Sequence, residues 1–253
     1  MKLWVTGKPG AEALSRKLRS LGHDLDEIYP DFVLVWGGDG SILRTARNYP
    51  NTPLVGLRIE SVGHLAEVNG EEWKYALDKL QQQEYILEEA SHIELIGPDV
   101  QISGVNEVYF FREYEHATRM NVFIDDQEVY GSVLFGDGCL AATPRGSTAY
   151  SWTVGRKIVL APQDSAFVFT PLSCGFLNQL QQVNNRQVAQ IAEQIRVADP
   201  KTVTVEILRG GRNKIAADGL DTLKKYISFQ QGDQLIFRKA QSHTKFVRFL
   251  PSR

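Results

Sequence analysis

Two unlike textures share the 253 residues, and together they predict an N-terminal open α/β domain followed by a C-terminal, β-sandwich-like domain. Over residues 1–90, apolar strand-like runs alternate with segments of helical period. Over residues 91–239, short β-prone runs follow one another with turn residues between them. No repeat or linker separates the two parts, and the boundary near residue 90 is a change of pattern.

Leu3 to Thr6 is a short apolar run closed by Gly7 and a Pro9-Gly10 turn. Ala11 to Leu21 has helical spacing, and Gly22 is a natural stop. Asp31 to Trp36 is a continuous, valine-rich run, the pattern of a parallel strand buried on both faces. It ends at Gly37-Gly38-Asp39-Gly40, after which Ser41 to Tyr49 suits a helix. Pro53 to Ile59 reads as the next strand. Glu71 to Gln83 reads as a helix with Trp73, Ala76, Leu77 and Leu80 on one face. Strand-like runs then fall at His92–Ile96, Val105–Phe111, Met120–Ile124 and Val129–Phe135, with a hairpin tip at Asp125-Asp126-Gln127. More follow at Ala166–Thr170, Val203–Leu208, Tyr226–Phe229, Leu235–Phe237 and Phe246–Phe249. The glutamine-rich stretch from Asn178 to Gln194 is ambiguous, because Val188, Ile191 and Ile195 have helical spacing over a short length.

Composition narrows the function classes. At 43% hydrophobic and 10% aromatic residues, the chain can bury a core, which excludes wholesale disorder. A formal charge of −2 and a pI of about 6.2 give no global basic field, against a general nucleic-acid binder. No apolar run approaches the roughly 18–20 residues of a membrane span, and Met1 to Lys8 lacks the regions of a signal peptide. Cys139 and Cys174 form no disulfide framework and have no metal-ligand spacing. His23, His64, His92, His116 and His243 are scattered, so no metal site made of protein residues alone is expected. The expected setting is a reducing cytoplasm, without nucleic-acid or membrane partners.

Three segments carry chemistry. Gly37-Gly38-Asp39-Gly40-Ser41 follows a buried strand, at the edge where open α/β sheets bind ligands. Glycines there let backbone amides approach phosphate oxygens. Asp39 can accept a proton from an attacking hydroxyl or orient a metal-bound phosphate. The plain alternative is a helix cap. The run has neither the P-loop nor the G-x-G-x-x-G pattern. Further on, Gly136-Asp137-Gly138 precedes Thr143-Pro144-Arg145-Gly146-Ser147-Thr148-Ala149-Tyr150. Hydroxyls, backbone donors and an aromatic ring in one tight segment suit a polar, planar ligand, with Tyr150 available for stacking. The third segment, Asn106-Glu107, is weak alone, because a polar pair before a strand is usually a turn.

In order and spacing these segments resemble the NAD kinase family: GGDGS with Leu43 after it, then NE, then DG followed by TPxGSTAY. Val62-Gly63-His64-Leu65 and Ala217-Asp218 extend the resemblance over nearly the whole chain. GGDG also occurs in diacylglycerol-kinase-like lipid kinases and phosphofructokinases; the TPxGSTAY segment is the specific one. The resemblance implies a Rossmann-like first domain, a β-rich NAD-binding domain over 91–239, and a tail, 240–253, returning to the first domain. It implies phosphoryl transfer from ATP or polyphosphate to the 2′-hydroxyl of the adenosine ribose of NAD. Asp39 is then the catalytic residue. Gly37, Gly38 and Gly40 bind phosphate, and Gly40 and Leu43 line the site. NAD contacts are implied for Asn106, Glu107, Asp137, Arg145, Thr148, Ala149, Tyr150, Thr153 and Asp218, the last in some arrangements from a neighbouring subunit. Mg²⁺ held mainly by nucleotide phosphates, and a homodimer or homotetramer, complete the expectation.

The chain departs from the family pattern at Arg145, at Arg156-Lys157 where a second glycine is usual, and at Ala66-Glu67-Val68 in place of a glycine and aromatics. The alternatives to an active NAD kinase are a weak or silent NAD(P)-binding regulatory homologue and a diacylglycerol-kinase-like lipid kinase.

Overall fold

The computed structural model describes residues 1–59, 63–113, 116–220 and 226–250. The chain forms two compact units, Met1–Ala90 with the segment from Ser242 onward, and Ser91–Gln241.

The first unit contains β1 (Lys2–Gly7), α1 (Ala11–Ser20), β2 (Asp24–Leu25), β3 (Phe32–Trp36), α2 (Asp39–Asn48), β4 (Leu54–Arg58), β5 (Val68–Asn69) and α3 (Trp73–Gln81). The strands are parallel in the order β2-β1-β3-β4, with β5 on β4. Phe32, Val33, Leu34 and Val35 are all buried, which is why β3 shows no polar alternation in its sequence. Ala11, Leu14 and Leu18 of α1 and Ala76, Leu77 and Leu80 of α3 share one core with β1, β3 and β4. Their three- and four-residue spacing puts each set on one helical face. Gly7 holds φ 130° where β1 meets β3, and a Cβ there would lie 2.1 Å from the Trp36 carbonyl oxygen. Only glycine fits this turn, which brings the Lys8 amide to that same carbonyl at 2.8 Å.

The second unit contains the main part of β6 (Tyr85–Gly97), then β7 (Val100–Gly104), β8 (Glu107–Arg112), β9 (Thr118–Ile124), β10 (Gln127–Glu128), β11 (Leu134–Gly136), β12 (Gly138–Ala142), α4 (Tyr150–Gly155), β13 (Phe167–Leu172), β14 (Gly175–Val183), β15 (Arg186–Ile191), β16 (Ile195–Val197), β17 (Val203–Arg209), β18 (Gly211–Ala217) and β19 (Ile227–Phe229). One antiparallel sheet runs β16-β13-β12-β8-β18-β19; another run of strands is ordered β15-β14-β11-β9-β17. Alternation does the sorting. Val108 and Phe110 of β8 enter the main core with Met120, Val122, Val205 and Ile207, while Tyr109 and Phe111 pack on the other face with Leu140 and Leu172. Asp125 and Asp126 turn the β9–β10 hairpin with φ 46° and 66°, as the sequence indicates.

The last strand, β20 (Gln234–Phe249), serves both units. Leu235 to Phe237 pairs with β17, and Phe246 pairs with Leu54 of β4. Val247 enters the first core, and the Leu250 amide donates to the Glu84 carbonyl at 3.1 Å. The tail therefore returns, although residues 251–253 lie outside the described residues.

Three local expectations change. The glutamine-rich stretch is a β-hairpin, β14–β15, so the helical spacing of Val188 and Ile191 is incidental. Val129–Phe135 carries regular strand only at its end, as β11. Leu235–Phe237 and Phe246–Phe249 are two ends of one strand, since the polar residues between them continue the extended backbone.

Candidate active site

In the first unit the Gly37–Gly40 turn joins β3 to α2. The Gly37 amide is tied to the Leu57 carbonyl at 3.0 Å, and Gly38 is the α2 N-cap residue. Asp39 is the first helical residue, so its side chain does not cap the helix. Its carboxylate instead accepts the backbone N–H groups of His64 (2.9 Å, to Oδ2) and Leu65 (3.0 Å, to Oδ1). Each oxygen keeps lone-pair capacity for a further donor. A Cβ on Gly63 would lie 2.7 Å from Asp39 Oδ1, so this neighbour must be glycine or the loop must move. Val62 of the same segment is outside the described residues.

Beside the turn is a cavity of about 480 Å³, lined by Gly7 at the end of β1, by Lys8 and Pro9 after it, by Gly38, Gly40 and Ser41, and by Arg44 one turn along α2. Backbone amides at a helix start and two cations give it the chemistry of an anion pocket. Lys8 and Arg44 were not singled out by the motifs. Their signal is positional: Lys8 leaves β1 at the same strand edge as Asp39 leaves β3. Leu43, expected to line the site, is buried in α2 at 5% exposure and is absent from this cavity's lining.

In the second unit three separate motifs form one hydrogen-bonded assembly. The buried Asp218 carboxylate accepts the amides of Val105 (3.0 Å), Asn106 (2.7 Å) and Glu107 (3.3 Å). Asp218 thus orders the Asn106-Glu107 turn. The Asn106 carbonyl accepts the Thr143 amide at 2.9 Å, and the Thr143 hydroxyl donates to the Val105 carbonyl at 2.7 Å. Gly146 is packed so closely that a Cβ would sit 1.9 Å from the Asn106 oxygen. Asn106 Oδ1 and Glu107 Oε2 are buried without a partner among the described residues. Burial, helped by the nearby Asp218 charge, pushes Glu107 up to about 8.

The 3₁₀ turn Gly146–Thr148 leads into α4. Thr148, Tyr150 and Thr153 are exposed, while Ala149 and Arg145 are half-buried. Tyr150 meets Tyr109 edge to face, with ring centroids 5.3 Å apart. Both rings line a cavity of about 1070 Å³ shared with Phe111, Asp137, Lys157 and Gln194. Burial, then Glu107 and Asp137, raise the Tyr150 hydroxyl pKa. Asp137 is held by Arg112 Nε at 2.7 Å, so its charge is balanced within the wall. Cys139, as its apolar neighbours Leu140, Ala141 and Ala142 suggest, and Cys174 are buried, and burial raises both thiols. They are inert packing residues.

No family model matches the chain. It is 32% identical over 236 residues to an NAD kinase of Methanothermobacter thermautotrophicus, covering 92% of this chain and 76% of the relative. The chain belongs to the NAD kinase family. Its fold is similar to that of yeast NADH kinase complexed with NADH, with a TM-score of 0.74, 18% identity and coverage of 99% and 84%. It is similar to the same degree to an NAD kinase from Archaeoglobus fulgidus in complex with ATP, with a TM-score of 0.73, 21% identity and coverage of 97% and 93%. Among the NAD kinase motifs, the structure brings Asn106-Glu107, Asp218 and Thr143–Tyr150 together, and places Asp39 with Gly37, Gly38 and Gly40 in the other unit.

Proposed function

We propose that the protein transfers a phosphoryl group from ATP, or from polyphosphate, to the 2′-hydroxyl of the adenosine ribose of NAD, yielding NADP. What carries the reading is the assembly of Asn106-Glu107, Asp218 and Thr143–Tyr150 in a member of the NAD kinase family. Residues 91–239 act as the dinucleotide domain. Residues 1–90, with 240–253, act as the phosphoryl-transfer domain.

In the dinucleotide domain, Asn106 Oδ1, which has no partner among the described residues, and the Glu107 carboxyl address the amino and hydroxyl donors of adenosine. Tyr150 offers a ring face. Asp137, Arg145, Thr148, Ala149 and Thr153 supply the remaining NAD contacts. In the other domain, Gly38 and Gly40 present backbone amides to the donor phosphates, and Lys8 and Arg44 neutralise them; Gly37, expected to bind phosphate, donates its amide to the Leu57 carbonyl and lies outside this lining, so it shapes the turn instead. Asp39, held by two amides, takes the ribose proton or aligns the hydroxyl. Positioning and charge neutralisation are the main demands of this reaction.

A divalent ion, Mg²⁺ in this reading, neutralises developing phosphate charge when bound. Among the described residues no cluster of three or more His, Cys, Asp or Glu could hold one. A lone carboxylate beside a phosphate turn fits an ion held chiefly by nucleotide oxygens and water. Among the described residues no helix is long and apolar enough to cross a membrane. A cytoplasmic homodimer or homotetramer completes the proposal.

The test is NADP formation by purified protein with NAD, ATP and Mg²⁺. A folded protein that forms no NADP with either ATP or polyphosphate refutes the enzyme and leaves a silent NAD-binding homologue. Asp39→Asn is expected to lower turnover by about 10²–10⁴-fold while NAD still binds. Unchanged turnover removes Asp39 from its assigned role.

A further inference from the structure

Gln194 lies at the end of the glutamine-rich stretch and carries none of the family's motifs. It is buried, with 9% of its surface exposed. Its Oε1 accepts the backbone amides of Lys157 (3.0 Å) and Ile158 (3.1 Å). Its Nε2 donates to the Ser151 carbonyl (3.1 Å), the Ser151 hydroxyl (3.1 Å) and the Thr170 hydroxyl (2.9 Å). Two obligate donors on one side and a carbonyl on the other fix which way the amide points. Both ends of the side chain are used to capacity, so none of it remains for a ligand.

These bonds span α4. Ser151 is in its first turn, Lys157 and Ile158 follow its end, and Thr170 belongs to the neighbouring strand β13. A Cβ on Gly155 would overlap the Gln194 amide at 2.0 Å, so the glycine leaves the room that the amide fills. The exposed residues Tyr150 and Thr153 ride on the helix that Gln194 fastens.

We infer that Gln194 is the positioning residue of the dinucleotide site, holding α4 so that Tyr150 and Thr153 meet NAD in one orientation. This rests on the reading of α4 as dinucleotide-binding. A merely structural glutamine lowers stability without distinguishing one substrate from the other.

Gln194→Glu keeps size and one acceptor but places a carboxylate oxygen against the Ser151 carbonyl. Thr170→Val removes a single partner. NAD affinity is measured by calorimetry without ATP, beside the KM for NAD, the KM for ATP and the melting temperature. Gln194→Glu is expected to weaken NAD binding by about tenfold or more, and Thr170→Val by a few-fold, the loss of buried hydrogen bonds. The KM for ATP stays within about twofold. Unchanged NAD affinity in folded Gln194→Glu overturns the inference. So does an equal rise of both KM values, or failure of both variants to fold, since either makes Gln194 a general core residue. Wild-type protein that binds NAD but makes no NADP defeats the kinase reading and leaves the calorimetric and melting arms of this test standing. Wild-type protein that binds no NAD defeats the α4 assignment, and the inference with it.

Discussion

Replacing Glu107 by glutamine tests the electrostatics of the dinucleotide site directly. Glu107 starts β8 with 4% of its surface exposed, and its Oε2 has no hydrogen-bond partner among the described residues. Its neighbour Asp218 is already bonded to three amides. Burial first, and the Asp218 charge second, move Glu107 from 4.5 to about 8. Between those values the folded protein retains a proton that the unfolded chain has released. The stabilisation is complete below 4.5 and is lost as pH rises through about 8. The slope is about 1.4 kcal/mol per pH unit, and the full interval sets a ceiling near 5 kcal/mol. Relaxation of a buried site lowers that ceiling, so about 2–3 kcal/mol is expected between roughly pH 5 and 7.5.

A glutamine at this position has nothing to titrate, so the Glu107→Gln protein lacks this component of the pH profile. Urea unfolding of both proteins at about pH 5, 6, 7 and 8 gives the difference at each point. The variant should gain on the wild type steadily as pH rises. Parallel profiles, with a constant difference, would show that Glu107 is ionised in the folded protein and refute the reasoning.

The remaining predictions concern geometry and charge. Arg44→Gln should raise the KM for ATP by about tenfold, the effect of one lost charge-assisted contact, and leave NAD affinity unchanged in steady-state and binding assays. Gly146→Ala forces a Cβ against the Asn106 carbonyl; it should cost about 1–3 kcal/mol in urea unfolding and weaken NAD binding through the displaced Asn106-Glu107 turn. Arg156 holds φ 54° at the end of α4. Arg156→Gly should therefore stabilise the protein by about 0.5–1 kcal/mol, seen as a melting point higher by roughly 2 °C.

The first unit was legible because its strands are buried on both faces and its helices on one. Phe32–Val35 and Ala76, Leu77 and Leu80 write those environments into the order of residues. The second unit was legible in outline only. The hairpin β14–β15 is largely exposed, so burial imposes no two-residue alternation on its glutamines, and Val188 and Ile191 gave a false helical period. The long β20 was hidden because its middle is polar and only its two ends enter a core. The motif residues were readable as chemistry, but their supports were not. Gln194 and Arg44 act through position, and nothing in a single sequence says that Gln194 lies against Gly155 or that Arg44 and Lys8 line one cavity.

Physical reasons for the departures from the family pattern lie in the scaffold. Arg156 keeps the left-handed backbone that a glycine takes at a helix end, so the turn is preserved while the residue has changed. The Lys157 ammonium is paired with Glu193, and its amide is fixed by Gln194. Glu67 stands where an aromatic is usual; it accepts the Phe249 amide at 2.7 Å and pairs with Arg248 at 3.0 Å, fastening the returning strand. Arg248 in turn pairs with Glu88 at 2.6 Å. Lys157 and Glu67 thus each have a partner within their own unit. If Lys157 had become a phosphate ligand, Glu193 would have to be displaced first, at the cost of an ion pair; Glu67 is committed to a strand anchor. Lys8 and Arg44 line the anion cavity beside Asp39, where a donor phosphate would sit, and among the described residues that lining contains no carboxylate. Donor choice between ATP and polyphosphate should accordingly respond to substitutions at Lys8 and Arg44, and be insensitive to Lys157→Ala.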